Sequence, residues 1–240
     1  MLFVKFQFNN HCYWPSNPKK VIEFIGGSYL ASKPDFSYKR FINNLIKKNY
    51  AVHAYQYFPQ FDHQELSLKA WKDFKTCKKI LSQRVNKNIP SIRIGHSLGC
   101  KLHLISPDGG RNCEKFISIS FNNFEASKSV PFLKNISQNL DFNSEFSPSP
   151  NRTLNIIQKT YIQENNLLIK FNSDRLDQSE SLLSSLRIRE KDNSKGICLK
   201  GNHTLIASAG LRENYLGTWA DDSLKRKTIK KISDLIENFI

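Results

Sequence analysis

The chain is predicted to fold as an α/β protein, with a mostly parallel central sheet and helices on both faces. Three observations carry that prediction. Short apolar, β-branched runs recur along the sequence, stretches with helical apolar spacing separate several of them, and one run leads through a glycine-flanked serine straight into a helix. Parallel neighbours need a crossover long enough to hold a helix, and this rhythm supplies it.

Taken in order, Leu2–Phe8 reads as a first strand and Val21–Ile25 as a second. Phe36, Phe41, Ile42, Leu45 and Ile46 then make a helical stripe, followed by a strand at Ala51–Tyr55. Ala70, Trp71, Phe74, Cys77, Ile80 and Leu81 make a second stripe before the strand-like Ile92–Ile94. A helix is expected at Cys100–Ile105, strands at Phe116–Phe121, Leu167–Phe171 and Ile197–Leu199, and a last helix through Ile229, Ile232, Leu235, Ile236 and Phe239. Between the strands ending at Phe121 and beginning at Leu167 lies an insertion at about 122–165. It holds the apolar Val130, Phe132 and Leu133, the Ser/Pro stretch Phe146–Pro150 and a helix-like Thr153–Ile162. Inserts of this length leaving the carboxyl edge of a sheet are placed to act as lids, and a lid is the expectation here.

A chain of 240 residues can bury one large core, and nothing divides its composition, so one domain over residues 1–240 is expected. The longest apolar runs are strand-sized, which excludes a membrane-spanning helix. The first residues lack the basic start and apolar core of a secretory signal, so a cytoplasmic compartment is expected. Five cysteines without paired short spacing argue against a disulfide framework or zinc site and read as small core residues. Lys and Arg exceed Asp and Glu by 36 to 21, a net charge of +15. Basic pairs such as Lys19-Lys20 and Lys230-Lys231 fall on separate elements without interleaved aromatics, so no nucleic-acid partner is expected. Peripheral contact with an anionic membrane surface is the weaker alternative use of that charge.

The chemistry centres on Gly95-His96-Ser97-Leu98-Gly99, a G-x-S-x-G between a strand and a helix. Gly95 and Gly99 leave room for a sharp turn that lifts the Ser97 hydroxyl above the sheet edge. A serine hydroxyl is a poor nucleophile unless a base takes its proton and an anion orients that base. Both follow in chain order. One strand runs into Asn172-Ser173-Asp174-Arg175-Leu176-Asp177, and a later one into Gly201-Asn202-His203. Asp174 is the favoured acid, Asp177 the main alternative with helix capping as its structural role, and Glu125 a third. His203 is the favoured base, because His53 sits in a strand, His11 and His63 in early loops or helix starts, His96 inside the elbow, and His103 in the helix after it. The backbone N–H of Leu98 is one candidate oxyanion donor. The turn Gly26-Gly27-Ser28-Tyr29 supplies the second, from Ser28 or Tyr29, its glycines permitting close backbone approach. No metal or organic cofactor is called for, and the partner expected is a small-molecule or lipid-like acyl substrate.

With these residues placed, the chain resembles the α/β-hydrolase superfamily and, within it, the uncharacterised DUF1350 family of cyanobacteria and plastids. The matching residues are Phe24-Ile25-Gly26-Gly27, Gly95 through His103, Ser120-Phe121-Asn122-Asn123, Leu167 through Phe171, Leu176-Asp177-Gln178-Ser179 and Gly201-Asn202-His203. The resemblance implies an α/β-hydrolase fold and a serine hydrolase of carboxylic esters or thioesters, in the bacterial cytosol or plastid stroma. The superfamily also includes members that catalyse nothing, so the alternative it implies is a silent binding or assembly factor near photosynthetic membranes. The glycine-rich turn lacks the preceding histidine of the lipase-type pattern.

Overall fold

The computed structural model describes residues 2–125, 145–207 and 223–240. Its strands are β1 (Phe3–Gln7), β2 (Asn10–Trp14), β3 (Val21–Ile25), β4 (Ala51–Tyr55), β5 (Ser91–His96), β6 (Lys115–Ile119), β7 (Asn166–Phe171) and β8 (Lys195–Leu199). They form one sheet in the order β1-β2-β4-β3-β5-β6-β7-β8. β1 and β2 are antiparallel to each other, β2 is antiparallel to β4, and from β4 onward every pairing is parallel.

The described helices are α1 (Pro34–Ser37), α2 (Lys39–Lys47), α3 (His63–Val85), α4 (Leu98–Leu104), α5 (Pro150–Thr160), α6 (Ser179–Arg187) and α7 (Ser223–Phe239). Successive side chains of a strand point to opposite faces, and the core divides accordingly. Ile22 and Phe24 of β3, Ile92 and Ile94 of β5 and Ile117 and Ile119 of β6 pack with Phe41, Ile42 and Leu45 of α2 and Ile229, Ile232 and Ile236 of α7. On the other face Ile25 and Tyr55 meet Ala70 and Phe74 of α3, while Phe116 and Leu168 meet Leu104, Ile157, Leu182 and Leu186 of α4, α5 and α6. Covered on both sides, the central strands β3 and β4 are buried at every position, mostly with apolar residues. No described helix is long and apolar enough to cross a membrane.

Four expectations need correction. The amino-terminal strand is followed at once by a second: Phe8 and Asn9 take positive φ, 47° and 51°, and the chain returns as β2. His11 therefore lies in a strand, not a loop. Phe36 belongs to α1 and is 39% exposed, because α1 ends before the α2 stripe begins. Cys198 is exposed on the edge strand β8, unlike the four buried cysteines. Within the insertion, the expected helix is α5, started by Ser149, whose hydroxyl accepts the Arg152 N–H. Val130, Phe132 and Leu133 lie outside the described residues.

Register brings the sequence-predicted loops together. Ile25 pairs with Gly95, so the Gly26-Gly27 turn leaves β3 beside the turn that leaves β5. Phe171 pairs with Leu199, so the loops after β7 and β8 emerge side by side. They are laced further by Asn172 N–H to Leu199 O and Ser173 N–H to Gly201 O. Beneath the elbow, buried Arg93 of β5 ties β3 to the loop after α4, bonding Glu23 at 3.0 Å and both oxygens of Asp108 at 2.9 Å.

Candidate active site

Ser97 stands between β5 and α4 with φ 54° and ψ −122°, a backbone region that L-residues occupy only when the surroundings impose it. The imposition is steric and hydrogen-bonded. The Ser97 N–H donates to Ile119 O of the neighbouring β6 at 2.9 Å. A β-carbon on Gly95 would lie 2.5 Å from Cys100 Cα, and one on Gly99 only 2.1 Å from Ile25 O. Gly99 is thus required by the contact of α4 with the end of β3, a long-range reason added to the local one.

The His203 imidazole lies between the serine and one carboxylate. Its Nε2 is 3.0 Å from Ser97 Oγ, and its Nδ1 is 2.8 Å from Asp174 Oδ2. The Asp174 side chain is fully buried, and its other oxygen accepts the Leu176 N–H at 2.9 Å, which orients the carboxylate toward the ring. Asp177 faces elsewhere. It accepts the Ser179 N–H and the Ser179 hydroxyl, each at 2.9 Å, so it caps the start of α6, and burial raises its pKa. Among the described residues Asp174 is the only carboxylate in contact with the His203 ring.

The elbow's variable residue connects the loops. His96 is buried, and burial foremost, with repulsion from His203 second, lowers its pKa to about 3 against the opposing bond to the His203 carbonyl. As a neutral ring it has one donor and one acceptor. The Gly27 N–H donates to Tyr38 Oη at 2.8 Å, which leaves the Tyr38 hydroxyl to donate to His96 Nδ1 at 2.8 Å. His96 Nε2–H then donates to the backbone oxygen of His203 at 2.8 Å. Tyr57 fixes the same glycine turn from below by donating to Gly26 O at 3.0 Å. Sequence reading placed His96 only as the elbow's filler and did not single out Tyr38. The available signal was a histidine inside the tight turn at Ser97, where a buried side chain lacking a partner would be costly.

Of the proposed oxyanion donors, Leu98 opens α4, and Ser28 and Tyr29 open a short 3₁₀ turn, positions whose N–H groups have no acceptor within their own helix. Gly27 packs against Ser97, since a β-carbon there would lie 3.0 Å from Ser97 Cβ, but its own N–H is engaged by Tyr38. Above these groups is a cavity of about 260 Å³ lined by Ser97, His203, Ser28, Tyr29, Phe124 and Leu176. A larger depression of about 1010 Å³ opens at the opposite end of β5, around Ser91, Lys75 and Lys78, away from the serine. Among the described residues no three His, Cys, Asp or Glu side chains gather as a metal site requires.

A parallel sheet in this order, with a strained serine at the strand-to-helix turn after β5, defines an α/β-hydrolase fold, and solved structures of that class superpose over nearly the whole chain. A monoacylglycerol lipase of Paleococcus ferrophilus matches with TM-score 0.61 and 12% identity, covering 100% of both chains. Carboxyl esterase 2 of Tuber melanosporum matches with TM-score 0.65 and 15% identity over 95% of this chain and 81% of that one. The thioesterase domain of the curacin biosynthetic pathway matches with TM-score 0.53 and 14% identity over 92% and 98%. The chain belongs to DUF1350, a family described as a protein of unknown function, whose pattern matches residues 7–220. No curated protein matches the sequence significantly.

Proposed function

We propose that this protein is a serine hydrolase of carboxylic esters or thioesters. The observation that carries the reading is the His203 ring, within hydrogen-bond reach of Ser97 Oγ at 3.0 Å on one side and of buried Asp174 at 2.8 Å on the other. Ser97 attacks the acyl carbon while His203 Nε2 takes its proton, and Asp174 accepts the Nδ1–H and stabilises the imidazolium. The N–H groups of Leu98 and of Ser28 or Tyr29 receive the oxyanion, and His203 returns the proton to the departing alcohol or thiol. Water then cleaves the acyl-enzyme by the same route in reverse. The cavity of about 260 Å³ suits a small acyl substrate.

The reading of a catalytically silent binding factor requires the ring to lie out of reach of serine or acid, and these distances disfavour it. A fluorophosphonate probe tests the proposal directly. Wild-type protein is expected to label and to cleave short p-nitrophenyl esters, whereas Ser97→Ala does neither and His203→Ala labels far more slowly. Well-folded wild-type protein that neither labels nor cleaves would overturn the reading.

A further inference from the structure

Beside the serine cavity lies a recess of about 30 Å³ that shares three walls with it, Ser28, Asn122 and Phe124. Its remaining lining includes Lys101, His63 and Asn123, which are 1%, 2% and 5% exposed. Lys101 comes from α4, four residues after the nucleophile, and is the one charged side chain among them at neutral pH. A single N–H of its ammonium donates to Pro148 O at 2.8 Å, and its charge lies over the Phe146 ring. His63 Nδ1 and Asn123 Oδ1 are buried without a hydrogen-bond partner among the described residues. The Asn123 amide cannot simply be reversed, because its Nδ2 is committed to Pro150 O at 3.0 Å. Phe146 stacks on His63 at 4.3 Å between centroids, holding that ring in place.

Two buried polar atoms without a partner, beside a lysine that Pro148 O and the charge of Glu145 engage but whose ammonium has N–H groups to spare, call for a ligand, since buried polar atoms are rarely left unsatisfied. The size of the recess admits a single small polar group, not a chain or ring. The inventory of donors and acceptors selects which. The lysine offers spare N–H groups, whereas Asn123 presents a carbonyl oxygen that needs a donor. A carboxylate would satisfy the lysine and set its own oxygens against that carbonyl. A hydroxyl accepts from Lys101 and donates to Asn123 or His63, so it matches the lysine and one of the two acceptors at once, which a carboxylate cannot do.

We infer that this recess is a substrate subsite for a hydroxyl group, so that the preferred esters or thioesters carry a hydroxyl on the acyl or the leaving group. This deepens the hydrolase reading and rests on it. Neutral His63, its pKa lowered to about 3 by burial and by Lys101, fits an acceptor role in such a site.

Two matched pairs test the subsite: p-nitrophenyl butyrate against p-nitrophenyl 3-hydroxybutyrate, and propyl butyrate against 2-hydroxyethyl butyrate, with mono-p-nitrophenyl succinate as the anionic comparison. The hydroxylated member of at least one pair is expected to be favoured about tenfold or more in kcat/KM, the ordinary worth of a hydrogen bond to a charged donor. Calorimetric binding of the same uncleaved esters to Ser97→Ala is expected to show the same preference. Both ratios should fall to about one with Lys101→Met. His63→Phe, which keeps the ring against Phe146, should reduce them and serves if Lys101→Met does not fold. Cleavage without hydroxyl preference, a preference for the succinate, or a preference that survives Lys101→Met would overturn the subsite. Hydroxyl-selective binding without cleavage of any ester would instead leave the subsite standing and remove the hydrolase reading.

Discussion

Acidification from pH 8 to pH 5 should destabilise this protein by about 8 kcal/mol, a figure that follows from four buried histidines. His53, His63, His96 and His103 are at most 3% exposed. Burial is the leading cause that lowers the first three to about 3, and it takes His103 well below its ordinary value. In the unfolded chain each titrates near 6.5. Below that pH the unfolded state binds protons that the native state refuses, so stability present above about 6.5 is lost as the pH falls. At pH 5 the loss per histidine is RT ln(1 + 10^1.5), about 2 kcal/mol, and it does not depend on how far below 5 the native value lies. Four such losses approach the whole stability of a typical domain, about 5–15 kcal/mol. Lys101, lowered by burial to about 8, acts between its unfolded value and that pH and is flat below it. Asp177, raised by burial, offsets a little at the acid end of the range. Urea unfolding followed by circular dichroism at pH 8, 6.5 and 5 measures the effect. His63→Phe should shrink the pH 8 to pH 5 difference by about 2 kcal/mol, since His63 Nδ1 has no partner to lose among the described residues. Equal urea midpoints at pH 8 and pH 5 would refute the reasoning.

Three substitutions read the other parts of the site. Asp174→Asn should lower kcat by about 10⁴ with little change in Tm, because the amide oxygen keeps the Leu176 N–H and leaves the NH2 facing His203 Nδ1, where it donates to the ring, holds the wrong tautomer and brings no charge to stabilise the imidazolium. Asp177→Ala should instead cost about 1 kcal/mol of stability through the lost α6 cap and leave kcat within a few-fold, and the reverse pattern would exchange their roles. Gly99→Ala sets a β-carbon 2.1 Å from Ile25 O, so α4 must part from β3. A stability loss of about 1–3 kcal/mol or more and a collapse of activity are expected, and a wild-type Tm would contradict the contact.

What could be read without coordinates was whatever is local to a strand end. The elbow, the Asp174 loop and the His203 loop each announce themselves within six residues of a β-run, and parallel strands carry all such loops to one edge. The alternation of elements was legible for the same reason. β2 was not, because Asn10 and His11 break its apolar pattern, and its partner β1 consumed the signal. Lys101 was not, because lysine is a surface residue by default and only long-range packing against Phe146 and Pro148 buries it. His96 and Tyr38 lie 58 residues apart, and His96 and His203 lie 107 apart, separations that no local pattern spans.

The last of these pairings answers a geometric difficulty in the fold. Ser97 leaves β5, whereas His203 leaves β8, three strands away across β6 and β7. At about 4.8 Å per strand the His203 loop must reach back about 14 Å to meet the serine. In the proposed mechanism the Ser97 proton moves to the ring and the ring gains and loses charge with it, so the bonds of the imidazole to Ser97 and Asp174 change strength through the cycle and cannot by themselves hold the loop constantly. The bond from His96 Nε2–H to the His203 carbonyl takes no part in that traffic. It requires His96 to stay neutral and in one tautomer, and the Tyr38 hydroxyl, itself oriented by the Gly27 N–H, imposes that tautomer while burial imposes neutrality. The same chain of bonds therefore sets the glycine turn beside the proposed oxyanion position and the imidazole above the serine, so a displacement of either loop is felt by the other.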